Sequence, residues 1–153
     1  MGQRKVETPS GGIVYLASPY TKHPQGMDVA YENAVVAARR LLALGFCVYS
    51  PIIHGHPLPG EVGVVSGPLS RGNGSRLCGA KGMRIPLTSE FWWAHCKPFL
   101  DAAVLMVVLK DEGWNKSLGV IYEVGYMRAQ GKRVWGMPLE GEVEDWELEI
   151  GHE

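Results

Sequence analysis

The 153-residue sequence lacks any apolar run near the roughly 20 residues that a membrane-spanning helix needs. Its longest, Ala102 to Leu109, has the length of a strand. It also lacks a surplus of charge: 15 Lys and Arg stand against 16 Asp and Glu, for a net charge of −1. A nucleic-acid polymer is therefore not an expected partner, because a chain that coats DNA or RNA carries a basic footprint. Cysteine is scarce. Cys47, Cys78 and Cys96 show no CxxC spacing and are odd in number, which fits cytosolic thiols better than a disulfide framework. The basic residues Arg4 and Lys5 are not followed by an apolar stretch, so no signal peptide is expected, and Val6 stands where a myristoylation signal has Ser or Thr. No GxxxxGK[ST] phosphate loop occurs. Gly72-x-Gly74 runs on to Leu77 without a strand before it, so the dinucleotide fingerprint fails as well. What remains is a cytoplasmic protein of one domain, with no membrane partner.

Residues 1–11 carry charge, Pro9 and Gly11 without periodicity and read as a flexible arm before a single domain over 12–150. Apolar runs at 13–17, 46–50, 103–109 and 133–137 read as buried strands. Helical spacing spans about Met27 to Leu44, with Gly45 as its stop, and Ser117 to about Gln130, stopped by Gly131. Thr88 is a plausible cap for a third helix to about Ala102, in which Pro98 predicts a kink or break. Glu142 to Ile150 reads as a short acidic helix. Strands alternating with helices argue for a doubly wound, parallel α/β sheet. Residues 57–86 interrupt it with seven glycines and four prolines, and read as a lid or insert loop in which Arg71, Arg76, Lys81 and Arg84 could meet an anion.

Ligands of such sheets sit beyond the carboxyl ends of the strands. This directs attention to Ser18 and Tyr20, to His54 and His56, and to the segment Lys110–Glu123. His54-Gly55-His56 has neither Cys nor acidic residues close by in sequence, so sugar or base contact is favoured over a metal, and none is assigned. Trp92, Trp93 and Trp114 offer surfaces for a base, but a Trp pair on a helix equally suits a core or a subunit interface. In Ser117-Leu118-Gly119-Val120-Ile121-Tyr122-Glu123, Ser117 can cap the helix. Gly119 lets a ligand approach the free amides, a setting suited to phosphate. Glu123 then follows among apolar neighbours, where a carboxylate is either functional or satisfied by a structural hydrogen bond.

The run SLGVIYEVGYMRAQGKRV after a buried strand, with IVYLASPY near the start, resembles the nucleoside 2-deoxyribosyltransferase superfamily, and within it the 2′-deoxynucleoside 5′-phosphate N-hydrolases and related small phage and bacterial proteins of unassigned function. The resemblance covers residues 12–56 and 88–138. It implies a flavodoxin-like sheet of about five parallel strands and cleavage of an N-glycosidic bond without a cofactor. Glu123 then matches the nucleophile and Tyr15 the tyrosine that orients it. Ser117 stands where the hydrolases have serine and the transferases an acidic residue. That difference favours a nucleoside 5′-monophosphate substrate, since a carboxylate would repel phosphate. Where the family has a base-contacting aspartate this chain has His95 or Cys96, so His95 is the candidate general acid, while Asp101 reads as a solvated helix cap. Pro19, Tyr20 and Thr21 also depart from the hydrolases' small and basic residues. The resemblance further implies a homodimer or larger homo-oligomer, with Asp145 and Trp146 as candidates to complete a neighbour's site. Two alternatives stay open: base exchange between deoxynucleosides, and a nucleotide-binding module without turnover.

Overall fold

The structure, a computed structural model, describes residues 11–61, 84–142 and 145–147. Four parallel strands form the main sheet: β1 (Ile13–Ala17), β2 (Cys47–Tyr49), and beyond them the segments Ala103–Lys110 and Arg133–Pro138. Helix α1 (Met27–Ala43) connects β1 to β2, and a short helix α2 (Pro51–Gly55) follows at once. Two-residue strands β3 (Gly60–Glu61) and β4 (Arg84–Ile85) pair antiparallel, and α3 (Ser89–Ala102) leads into the long strand, β5. After α4 (Leu118–Ala129) comes the last strand, β6. The sheet order is β2-β1-β5-β6, so β1 and β5 are central. This is the flavodoxin-like α/β architecture that the alternation predicts, and the four apolar runs are its four strands. A fifth parallel strand is not found among the described residues.

The sheet is apolar on both faces because β1 and β5 are covered on both. Val14, Leu16, Leu105, Val107 and Leu109 pack with Ala37, Ala38 and Leu41 of α1, together with Trp135 and Met137. Tyr15, Ala17, Met106 and Val108 face the other way, against Cys96 and Leu100 of α3 and Val120 and Met127 of α4. Alanines on α1 let its backbone lie close to the strands. Gly45 (φ 90°) and Gly131 (φ 69°) end α1 and α4 in the left-handed conformation that a side chain disfavours.

Three local expectations are corrected. Pro51 does not merely close β2: Ser50 Oγ accepts from the Ile53 amide at 3.2 Å, and Pro51 sits where its missing N–H costs nothing, so residues 51–55 form a helix. Pro98 does not break α3, which runs continuously through it. Pro98 and Ala94 both lie on the exposed side, where the carbonyl left without a donor is open to water. Of the described residues after Glu142, only Asp145 is helical, in a 3-10 turn in which its amide donates to Glu142 O at 3.1 Å. Glu147 instead bridges Gly136 of β6, with Lys110 paired to its carboxylate, and Trp146 is buried in the α1-side core. Trp146 is thus packed within its own chain, and the Asp145 carboxylate accepts from the Glu142 amide of the same chain at 2.9 Å. The lid or insert loop over 57–86 is described only at its two ends. Most of it, with Arg71, Arg76 and Lys81, lies outside the described residues, as does the arm 1–10, but its two ends meet as the β3–β4 ribbon. The Trp92 indole donates to Pro86 O at 2.8 Å just beyond that ribbon.

A buried polar network fixes the carboxyl edge of the sheet. His23 Nε2 donates to Asp111 Oδ2 at 2.9 Å, and Asn33 Nδ2 donates to the same oxygen at 2.9 Å. Asp111 Oδ1 accepts from the Glu112 amide at 2.7 Å, and His23 Nδ1 accepts from the Gln25 amide at 3.1 Å. Gln25 adds a bond to Glu112 at 3.2 Å. The loop after β1 is thereby tied to the loop after β5. Truncating a buried partner strands the others without an acceptor, so Asp111→Ala is expected to destabilise the fold by roughly 3 kcal/mol. Urea unfolding of the variant checks this, and a loss below about 1 kcal/mol would mean the network does not hold the edge.

Candidate active site

Position 15 follows from strand alternation: Tyr15 faces α3 and α4 and is fully buried in β1. Parallel pairing sets Tyr15 beside Tyr49 of β2, ring centroids 5.7 Å apart. From the helical layer, Cys96 of α3 and Glu123 of α4 approach the same place. Glu123 is half-buried as a residue, but its Oε2 is withdrawn from water and has no hydrogen-bond partner among the described residues. Burial pushes its carboxyl up to about 7, against a smaller opposing pull from the Tyr15 hydroxyl. That hydroxyl lies within electrostatic reach of Glu123 and Cys96 but closes no bond of good geometry, leaving Tyr15 Oη unpartnered as well. Burial and then the Glu123 charge hold Tyr15 far above the ordinary phenol range, and burial pushes the Cys96 thiol up to about 11.

Ser117 caps α4, accepting from the Val120 amide at a long 3.5 Å, a weak bond that leaves the hydroxyl able to donate elsewhere. Gly119 is exposed and lies between the two polar groups of this helix end. A Cβ placed there would stand 3.8 Å from Glu123 Oε1 and 3.9 Å from Ser117 Oγ. The three residues read as a motif in the sequence are thus brought together in space, with open approach to the amides of the first turn.

His95 lies on α3, beside α2. Its ring stacks on the exposed His54 of α2 (5.2 Å, 5°), with Trp92 edge-on at 5.4 Å and Phe99 at 5.6 Å. His95 Nε2 is buried without a partner. Tyr49, which sequence reasoning missed, stacks on Phe99 at 3.9 Å and points a buried, unpartnered hydroxyl into the same region. Burial first, then Cys96 and Glu123, raise its proton affinity. Its only signal in the sequence is a polar tip ending the second strand, and the register that sets it beside Tyr15 is a tertiary property. Ser18 Oγ, just past β1, is also buried without a partner. Tyr20 and His56 bond to one another at 2.6 Å. Asp101 is no idle cap: it accepts from the Tyr126 hydroxyl at 2.5 Å and from Gln130 at 3.3 Å, on α4's far end from the site. Trp93 packs with Tyr122 and Tyr126, and Trp114 packs near α4 beneath Lys110, so only Trp92 of the three stands beside His95. Among the described residues, no three His, Cys, Asp or Glu side chains gather as a metal site would need.

The chain belongs to the family described as a domain of unknown function, DUF1937, whose model matches residues 12–138. The match runs from the residue before β1 to the end of β6 and includes every site residue above. No curated protein matches the chain.

A carboxyl group raised by burial binds its proton more tightly folded than unfolded. Stability at this position is therefore greatest at low pH, falls as pH rises from the ordinary 4.5 through about 7, and is level above that. Glu123→Gln removes the ionisation. The variant is expected to melt higher than the parent at pH 8 and alongside it near pH 4.5. Melting curves across that range decide, and a gap that does not change with pH would count against a raised carboxyl.

Proposed function

We propose that the protein hydrolyses the N-glycosidic bond of a nucleoside or deoxynucleoside 5′-monophosphate, with Glu123 as nucleophile. The observation that carries this reading is the buried carboxyl oxygen Glu123 Oε2, left without a partner within electrostatic reach of the equally unpartnered Tyr15 and Tyr49 hydroxyls; Ser18 Oγ and His95 Nε2 are buried and unpartnered as well. Unpaired buried groups are costly, and a polyhydroxylated ligand with a polar base would supply their partners. The resemblance of the α4 and β1 sequences to the deoxyribosyltransferase superfamily adds support.

In this scheme the ionised Glu123 attacks the anomeric carbon as the bond to the base breaks, giving a glycosyl ester. Tyr15 orients the carboxylate. His95 gives a proton to the departing base, beside His54, Tyr49 and Trp92. Ser117 and the amides behind Gly119 hold the 5′-phosphate at the positive end of α4. Water then releases the sugar phosphate, and the scheme calls for no cofactor. Since the nucleophile must be ionised, kcat/KM is expected to rise with pH through about 7 in the free enzyme.

We also place the protein in the cytoplasm, in keeping with the free Cys47 and Cys96. No helix among the described residues is long and apolar enough to cross a membrane. The homo-oligomer reading rests on Leu118, Ile121 and Tyr122, which are 49–65% exposed and share one outward stripe of α4.

Released base, measured across the common ribo- and deoxyribonucleoside 5′-monophosphates, tests the activity. Glu123→Ala is expected to lose roughly 10³-fold or more of it, and Ser117→Ala to weaken monophosphate binding about tenfold while sparing free nucleosides. Release only when a second base is added would make the protein a transferase. Saturable binding without release, unaffected by Glu123→Gln, would make it a binding module. For the oligomer, light scattering should give at least a dimer, and Ile121→Glu should return a monomer.

A further inference from the structure

Three side chains outside the Glu123 cluster form a second constellation at the same edge of the sheet. Tyr20, on the loop after β1, and His56, at the end of α2, meet at 2.6 Å between Oη and Nδ1. His56 Nε2 lies 3.2 Å from Asp28 Oδ1 in the first turn of α1. With Asp28 taking the Nε2 proton's hydrogen bond, Nδ1 is the acceptor and the Tyr20 hydroxyl the donor. Tyr31 of α1 stacks flat on the imidazole (4.4 Å, 15°) and fixes its plane. A hydroxyl bonded to a base that is itself oriented by a carboxylate is the arrangement that activates an oxygen for proton transfer.

Its placement relative to Glu123 is informative. Tyr15 and Tyr20 belong to one stretch of chain, five residues apart, a span of at most roughly 17 Å. Tyr15 meets Glu123 of α4, whereas the partners of Tyr20 come from α1 and α2, and α2 also carries His54, stacked on the His95 that serves the departing base. A ligand lying across the carboxyl edge would have the carboxylate on one face and the Tyr20 hydroxyl on the other. Retaining hydrolysis needs that disposition, because water enters the face that the base has left.

We propose that Tyr20, His56 and Asp28 form a proton relay that activates the water resolving the glycosyl–Glu123 intermediate. The inference rests on the N-hydrolase reading above and adds the group that makes water the acceptor. In the step, the water oxygen bonds to the anomeric carbon as the ester bond to Glu123 breaks. The water proton passes to Tyr20 Oη, the Tyr20 proton passes to His56 Nδ1, and the resulting imidazolium is paired with Asp28. Glu123 is regenerated as a carboxylate, and the imidazolium returns its proton to solvent. Tyr20 touches the water, while His56 accepts its proton and Asp28 positions His56.

The test follows base release in the burst and in steady state, with intact-protein mass taken during turnover. Tyr20→Phe and His56→Gln are expected to keep a burst of one base per site, to turn over roughly 10²-fold more slowly, and to accumulate the glycosylated protein. Azide needs no proton removed when it attacks the anomeric carbon, so it should restore their turnover and yield the glycosyl azide. Should Tyr20→Phe fail to fold, His56→Gln and Asp28→Asn carry the same test, the latter at a side chain 94% exposed. Steady-state turnover equal to the parent in the folded variants overturns the relay alone. So does loss of burst and turnover together without azide rescue. No base release by the unaltered protein, seen before any variant is made, overturns the N-hydrolase reading and the relay with it.

Discussion

Glu123 keeps one carboxyl oxygen out of water beside a tyrosine hydroxyl that is itself unpaired, and the surrounding structure must hold both in place. A carboxyl group with that freedom would otherwise turn to solvent, since it sits near the start of a helix with an exposed outer face. It is kept inward by the packing of α4 on β5 and β6 through Val120 and Met127. Tyr15 is immobile for a different reason: it belongs to a central strand paired on both edges. The proton affinity of Glu123 is thus set by sheet packing first and by its one polar neighbour second.

The loops around this pair are not loose. His23, Asp111 and Asn33 join the β1–α1 and β5–α4 connections through a satisfied buried network, and the Lys110–Glu147 pair with the Gly136–Glu147 bridge draws the C-terminal segment onto β6. These contacts consume their polar groups internally. By contrast, Tyr15, Tyr49, His95 and Glu123 on the α3–α4 side, and Ser18 just past β1, keep buried polar atoms without a partner among the described residues.

Much of this was legible beforehand where one stretch of chain carries its own signal. Four apolar runs bounded by glycine and proline mark the four sheet strands, and Ser117, Gly119 and Glu123 lie within two turns of a single helix. Contacts between distant segments were not legible. Tyr49 joins the site through strand register, and Trp146, a candidate in the sequence to complete a neighbour's site, fills the α1-side core of its own chain. His56 reads as a substrate contact, yet its ring is held by Tyr20, Tyr31 and Asp28 from two other elements.

The sequence by itself determined the doubly wound sheet and the helix that presents Glu123, because hydrophobic periodicity and capping act over a few residues. Tertiary structure alone decided which polar atoms are sealed and which stay open. Parallel strands are joined by crossovers of a dozen or more residues, so nothing local in the chain specifies which side chains meet at the carboxyl edge until the sheet has formed.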